Sequence, residues 1–129
     1  PYIWLARITE GREFRVALVG DQVRENFPSN LVDKLFAEFL SAEHAQDMTA
    51  RYLKVVEDRM AEYSEGPVLR GGSVSYYGRR LLLPLAGEDG EAAYAIGVFQ
   101  KDEVGYVNDK STGPTYLAAD VQYCSVDLL

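Results

Sequence analysis

Two apolar runs on either side of an acidic turn constrain the fold of this chain more than any other feature. Residues 79–100 read RRLLLPLAGEDGEAAYAIGVFQ, and residues 86–90 divide the two runs. Such runs around a short glycine-containing segment predict a β-hairpin. Apolar residues stand at both odd and even positions of each run, whereas a sheet with one wet face alternates apolar with polar residues. We therefore expect both faces of this hairpin to be covered.

The rest of the chain changes its hydrophobic period twice. Apolar residues alternate at first, then recur at intervals of three and four, and alternate again after Pro67. This order predicts two strands, a helical insert and three strands, which is an α+β fold. The longest predicted helix begins after Ser41 and runs to about Tyr63. Further predicted segments are strands at Tyr2–Ile8, Phe14–Val19, Val68–Tyr77, Arg80–Leu85 and Glu91–Gln100, helices at 21–27 and 31–40, and a turn at 77–79.

The same periods predict which side chains form the core. Period two selects alternate strand residues, and a period of 3.6 selects one face of the long helix. The predicted core comprises Phe14, Val16, Leu18, Met48, Tyr52, Val56, Leu83, Ile96 and Val98.

Length and charge narrow the class of protein. The 129 residues fit one domain, and the formal net charge of −7 disfavours nucleic acid and anionic membranes as partners. No apolar run is long enough to span a bilayer. Cys124 is the single cysteine, and the sequence has no signal peptide pattern, so we expect a cytoplasmic protein. Because the first residue is a proline that leads straight into YIWLARI, we expect a segment upstream of it.

Four segments together resemble PAS domains, in particular a group of short bacterial ones. They are FRVALVG, RYLKVV at the end of the helical insert, EGPVLRGG and RRLLLPLAG. The resemblance covers residues 1–100 and leaves residues 101–129 as a tail or extension. It implies a five-stranded antiparallel sheet in the order 2-1-5-4-3, with the helices inserted between strands two and three. It also implies a sensory or regulatory module that binds a small molecule, transmits a signal through dimerisation, or does both.

A small-molecule site is expected between the long helix and the sheet. Tyrosine hydroxyls need hydrogen-bond partners when buried, and a guanidinium can bind a carboxylate with two bonds. These properties select Tyr52, Arg59, Tyr76 and Tyr94 as ligand-binding residues and a carboxylate metabolite as the ligand. The alternative for the tyrosines is an ordinary half-buried core position. The alternative for Arg59 is an ion pair with a neighbouring acid on a wet helix face.

Catalysis has no support from sequence motifs. The chain lacks the nucleophile, phosphate-loop and zinc-protease motifs. His44 is the only histidine and falls in the first helical turn, and Cys124 lies in the tail, so neither predicts a metal or chromophore site. We therefore expect no enzyme and no catalytic or metal-binding residue, and leave the cofactor unassigned. The alternative to a ligand-binding module is a ligand-free interaction module that dimerises.

Three different parts could cover the second face of the hairpin. The long helix can cover only one face, so the other needs a second copy, an upstream helix or the tail. We favour a homodimer, because two-fold pairing is the commonest way to bury such a patch. In this arrangement Trp4 or Leu5 of the first strand would point outward at its centre, and Ala95 and Phe99 would lie near it.

Overall fold

Six strands and three helices make up the described part of the chain. The computed structural model describes the backbone of residues 2–25, 30–71, 74–108 and 120–126, and the side chains of 2–25, 30–65, 78–100 and 121–126. The fold is α+β, as the change of hydrophobic period predicts. Along the chain lie β1 (Tyr2–Ile8), β2 (Phe14–Val19), α1 (Asp21–Glu25), α2 (Phe36–Phe39), α3 (Ala42–Glu57), β3 (Met60–Gly71), β4 (Val74–Ala86), β5 (Ala92–Asn108) and β6 (Asp120–Ser125).

The strands form one antiparallel sheet in the order β2-β1-β5-β4-β3-β6. The first five occupy adjacent positions in the order 2-1-5-4-3, and β6 is added beside β3. The expected five-stranded sheet is thus corrected to six strands, because Asp120–Ser125, assigned above to a tail, pairs with Met60–Glu65.

The end of α3 differs from the prediction. The helix ends at Glu57, Asp58 is its C-cap, and Arg59 has a left-handed φ of 53°. This backbone reversal turns the chain directly into β3 at Met60. Tyr63 therefore belongs to a strand, and the prediction of a helix as far as Tyr63 is wrong.

Two shorter segments also differ from their predictions. The predicted helix over 31–40 is reduced to α2, because Asp33 and Lys34 hydrogen-bond to the backbone of Val16 in β2 instead. The predicted turn at 77–79 is wrong, since Gly78 lies inside β4 opposite Lys101. Gly78 is buried, and an added Cβ there would overlap the Gln100 carbonyl oxygen, so the strand passes closely over its neighbour at this residue.

An aromatic core fills the space between α3 and the sheet. The Tyr52 ring lies 5.4 Å from Phe14 and 4.9 Å from Phe36. Burial of Phe14, Val16, Tyr52 and Val56 confirms these members of the predicted core. Further buried apolar residues in this cluster include Ala6, Val19, Leu31, Val55, Leu82 and Ala95.

The core predictions within the hairpin fail because they choose its wrong face. Its buried apolar side chains are Leu82, Ala95 and Phe99, so the expectation that Ala95 and Phe99 lie near an outward contact is wrong. The prediction for Leu18 fails because the pairing of β1 with β2 shifts register between Leu5 and Ala6. Leu18 and Val98 are instead exposed by 54% and 41%. Met48, Leu83 and Ile96 are half-buried. Since neither face of the hairpin is polar, the sequence alone could not distinguish the covered face.

Candidate functional site

Tyr52 lies at the centre of the covered face rather than at the rim of an open site. Its hydroxyl accepts a hydrogen bond of 2.5 Å from Trp4 Nε1, and the residue is 1% exposed. Burial raises the pKa of Tyr52 above its ordinary value. The hydroxyl therefore holds Trp4 against the core. Of the two residues expected to point outward, Trp4 points toward α3 and Leu5 points outward.

The other predicted ligand residues lie elsewhere. Arg59 is exposed after the end of α3, and its guanidinium lies 3.6 Å from the carboxylate of Glu91, which is not one of the neighbouring acids that the alternative interpretation expected. Tyr94 alternates with the buried Ala95, so it points to the opposite face of the sheet from Tyr52. The side chain of Tyr76 lies outside the described part. Tyr52, Arg59 and Tyr94 are not brought together.

A buried ionic cluster, which sequence reasoning missed, lies on the covered face beside Tyr52. We call Arg51, Glu62, Arg80 and Tyr123 the Glu62 cluster. Glu62 is fully buried in β3, and its Oε1 accepts hydrogen bonds of 2.7 Å from both arginines. Its Oε2 accepts bonds from Arg51 Nε at 2.9 Å and from the Tyr123 hydroxyl at 2.8 Å. The carboxylate thus joins α3, β3, β4 and β6.

The charges in this cluster shift two pKa values in opposite directions. Burial acts to raise the pKa of Glu62, but the hydrogen bonds and charges of Arg51 and Arg80 outweigh it and lower that pKa. Burial, followed by the hydrogen bond and negative charge of Glu62, raises the pKa of Tyr123 to about 12. Glu62 is therefore held ionised and Tyr123 is held protonated. Such a buried, hydrogen-bonded ion pair serves to connect elements of the fold.

The alternation of β3 is the one sequence signal that could have revealed this cluster. Once β3 begins at Met60, Glu62 and Ser64 fall on the covered face, and the exposed Tyr63 falls on the other. A carboxylate at an inward position requires cationic partners. The predicted helix over this segment concealed that requirement.

The opposite face of the sheet carries two rows of apolar side chains that cross four strands each. We call these eight residues the outer face. In one row Leu18, Leu5, Ile96 and Leu83 are neighbours, and in the other Ile3, Val98, Leu81 and Tyr63 are neighbours. All eight are exposed or half-buried. No described helix or strand covers them, because β6 joins the edge of the sheet rather than its face.

Polar residues bound the outer face beyond its second row, where Gln100, Arg79 and Glu65 lie in register. Beyond the first row Arg7 is the neighbour of Tyr94, and Tyr94 is the neighbour of the exposed Leu85, so the apolar surface continues there beside one charged residue. An apolar centre with a polar rim is the usual anatomy of a protein interface. The outer face is therefore the candidate functional site.

Comparisons with known proteins do not assign this chain to a family. No family model matches the chain, and no curated protein matches it. Among the described residues there is no group of three or more histidine, cysteine or acidic residues that could hold a metal ion. Within the same residues, none of the helices has the length and apolar character needed to cross a membrane.

Proposed function

We propose that this chain is a regulatory, non-catalytic module of the PAS type that transmits a signal by pairing with a second copy through the outer face. The helices between β2 and β3 and the adjacent order β2-β1-β5-β4-β3 support the PAS-like part. The cytoplasm is the proposed location, because the single cysteine suits a reducing compartment.

The observation that carries the pairing is the uncovered outer face. Leu18, Val98 and Leu81 are exposed by 54%, 41% and 38%, and they belong to one continuous surface. Strands about 4.8 Å apart and side-chain rows about 6.7 Å apart give the eight residues a projected area of about 250 Å². A continuous apolar patch of this order on the surface of a soluble protein often marks a binding site.

A second copy is the occupant that the surface suits best. Two-fold pairing places the same apolar surface on both sides of the contact, so each copy covers the other. The two rows carry no charged side chain, so pairing buries no ion. The polar rim of Arg79, Glu65 and Arg7 would stay in contact with water.

A ligand-free interaction module is the second candidate, and the packing around Tyr52 favours it. The Tyr52 hydroxyl is already bonded to Trp4, and Phe14 and Phe36 pack against its ring. This arrangement gives no role to Tyr52 in binding the carboxylate metabolite proposed from the sequence. Both candidates use the same pairing surface, so the oligomeric state tests what they share.

Analytical ultracentrifugation of the wild type and of Val98→Lys tests the pairing. We expect the wild type to sediment at twice the 14.4 kDa of one chain at micromolar concentration. Val98→Lys should shift it to the monomer, because pairing would bury an ammonium without a partner. Leu18→Lys, at the far end of the same surface, should also shift the protein to the monomer.

The matched control is Ala50→Lys, an exposed position on α3 on the other side of the sheet. It adds the same charge and should leave the dimer intact. Circular dichroism would verify that each variant is folded. A wild type that is monomeric at all concentrations, or a dimer that withstands both outer-face lysines, would refute pairing through this surface.

A further inference from the structure

Among the described residues, the buried hydroxyl of Ser64 has no hydrogen-bond partner. The residue lies in β3, two positions after Glu62, and is 0% exposed. Its Oγ makes no hydrogen bond in the described part of the structure. Leaving a buried hydroxyl unsatisfied costs about 1–3 kcal/mol, so native proteins usually supply a partner.

The neighbours of Ser64 determine what kind of partner fits. On the covered face Ser64 lies in register between Arg80 of β4 and Val121 of β6. Cross-strand neighbours have their Cβ atoms about 5 Å apart, so the Ser64 hydroxyl lies beside the side chain of Arg80, which carries a positive charge. Arg80 is held there by Glu62 at 2.7 Å and reaches Met48 Sδ of α3 at 3.7 Å.

We propose that Ser64 and Arg80 form a binding site for one small monovalent anion, either a halide or the carboxylate of a formate-sized ligand. A hydroxyl donates readily to an anion, and a guanidinium stabilises its charge in a partly desolvated place. A cation would be repelled by Arg80. The Glu62 carboxylate is already committed to four hydrogen bonds, so it orients Arg80 and does not occupy this position.

The proposed anion site does not depend on pairing of two copies. Ser64 and Arg80 face α3, whereas the outer face lies on the other side of the sheet. A monomeric chain could therefore still bind the anion, and a dimer could lack it. The tests of the two proposals can fail separately.

Thermal unfolding in bromide tests binding in solution. Anions that bind the folded state raise its stability in proportion to the logarithm of their concentration. We expect the difference in Tm between the wild type and Ser64→Ala to grow as bromide replaces sulfate at constant ionic strength. Thr9→Ala, which removes a hydroxyl at the turn between β1 and β2, is the matched control, and its difference from the wild type should not change with bromide.

Crystals of the full chain grown in bromide identify the bound group. We expect an anomalous peak within hydrogen-bond distance of Ser64 Oγ, and its absence from Ser64→Ala crystals. Loss of the peak when formate is added would assign the site to carboxylates as well as halides, whereas a peak that formate leaves unchanged would restrict it to halides. A water molecule at Ser64 without anomalous signal, together with a Tm difference that is constant in bromide, would overturn the proposal.

Discussion

Trp4 is the only tryptophan, and contacts with two residues hold its indole in place. Its indole donates to the Tyr52 hydroxyl, and its ring lies directly over Gly97 of β5, where an added Cβ would overlap the ring. Gly97 is therefore needed for the space that it leaves. The contact fixes which face of β1 turns toward α3, and hence leaves Ile3 and Leu5 on the outer face.

Gly97→Ala should displace Trp4 and destabilise the fold. The methyl group overpacks the covered face, which typically costs about 1–3 kcal/mol, and breaks the bond to Tyr52. Urea unfolding should show a lower midpoint, and the tryptophan emission of the folded state should shift to longer wavelength. Gly11→Ala in the exposed turn between β1 and β2 is the control, since an added Cβ meets only Thr9 Oγ1 at 3.9 Å. Unchanged emission in Gly97→Ala would contradict the placement of Trp4.

Tyr123 should lose its proton at a higher pH than an ordinary tyrosine does. Its pKa is raised to about 12, above the ordinary value of about 10 for tyrosine. The folded state therefore holds this proton more tightly than the unfolded state does. The associated stability is present in full below pH 10 and disappears as the pH rises through 12.

Absorbance at 295 nm, which reports tyrosinate, measures this directly. Tyr123→Phe should remove a component centred near pH 12 from the titration of nine tyrosines. Its alkaline unfolding curve should also be less steep between pH 10 and 12. Tyr94→Phe, on the other face of the sheet, controls for the loss of one chromophore. A missing component centred at pH 10 would show that Tyr123 does not bond Glu62.

Among the elements, the junction between α3 and β3 decides where the Glu62 cluster forms. Asp58 caps the helix, and Arg59 takes a left-handed conformation that costs a non-glycine residue roughly 1–2 kcal/mol. This reversal allows β3 to return under α3, so that Arg51 faces Glu62 eleven residues later. Without it Met60 and Tyr63 would continue the helical face, as the sequence pattern predicted.

The difference in stability between Arg59→Gly and Arg59→Ala has opposite signs for a left-handed and for a helical residue 59, so it distinguishes the two conformations. In the left-handed conformation glycine has no Cβ penalty, so we expect Arg59→Gly to be more stable than Arg59→Ala by about 1 kcal/mol. In a helix interior the order reverses, because glycine is less favourable than alanine by about 1 kcal/mol. Both variants lose the exposed ion pair with Glu91 equally. Chemical denaturation of the two proteins provides the comparison, and a more stable alanine variant would refute the junction.

Periodicity predicted the strands around the first hairpin and the α+β class, because local patterns encode them. It missed the Glu62 cluster, because Arg51, Arg80 and Tyr123 lie 11, 18 and 61 residues from Glu62. It also assigned Leu83 and Val98 to the covered face. Both faces of the hairpin are apolar in sequence, so the sequence does not indicate which one α3 covers. In the structure the Trp4 ring lies over Gly97 on the covered face.

Over the whole molecule, the two faces of the sheet are covered unequally. The helices and the Glu62 cluster cover one face. At one edge of the sheet residues 33–35 hydrogen-bond or bridge to β2, and at the other β6 pairs with β3 and is itself the edge strand. The outer face is the large apolar surface that no described element covers. A protein with a net charge of −7 resists unspecific aggregation, so it can present such a surface to one specific partner.

If two copies pair through the outer face, thermal stability should depend on protein concentration. Association draws the equilibrium toward the folded state by mass action, so the Tm of the wild type should rise between 1 and 100 µM, taken as roughly the range in which pairing develops. Val98→Lys abolishes pairing, and its Tm should stay constant over the same range. At the lowest concentration the two Tm values should converge, because Val98 is 41% exposed in one chain and a lysine there disturbs little of the core. Ala50→Lys should follow the wild type. A wild-type Tm that does not change with concentration would mean that single chains keep the outer face open, and would contradict the homodimer.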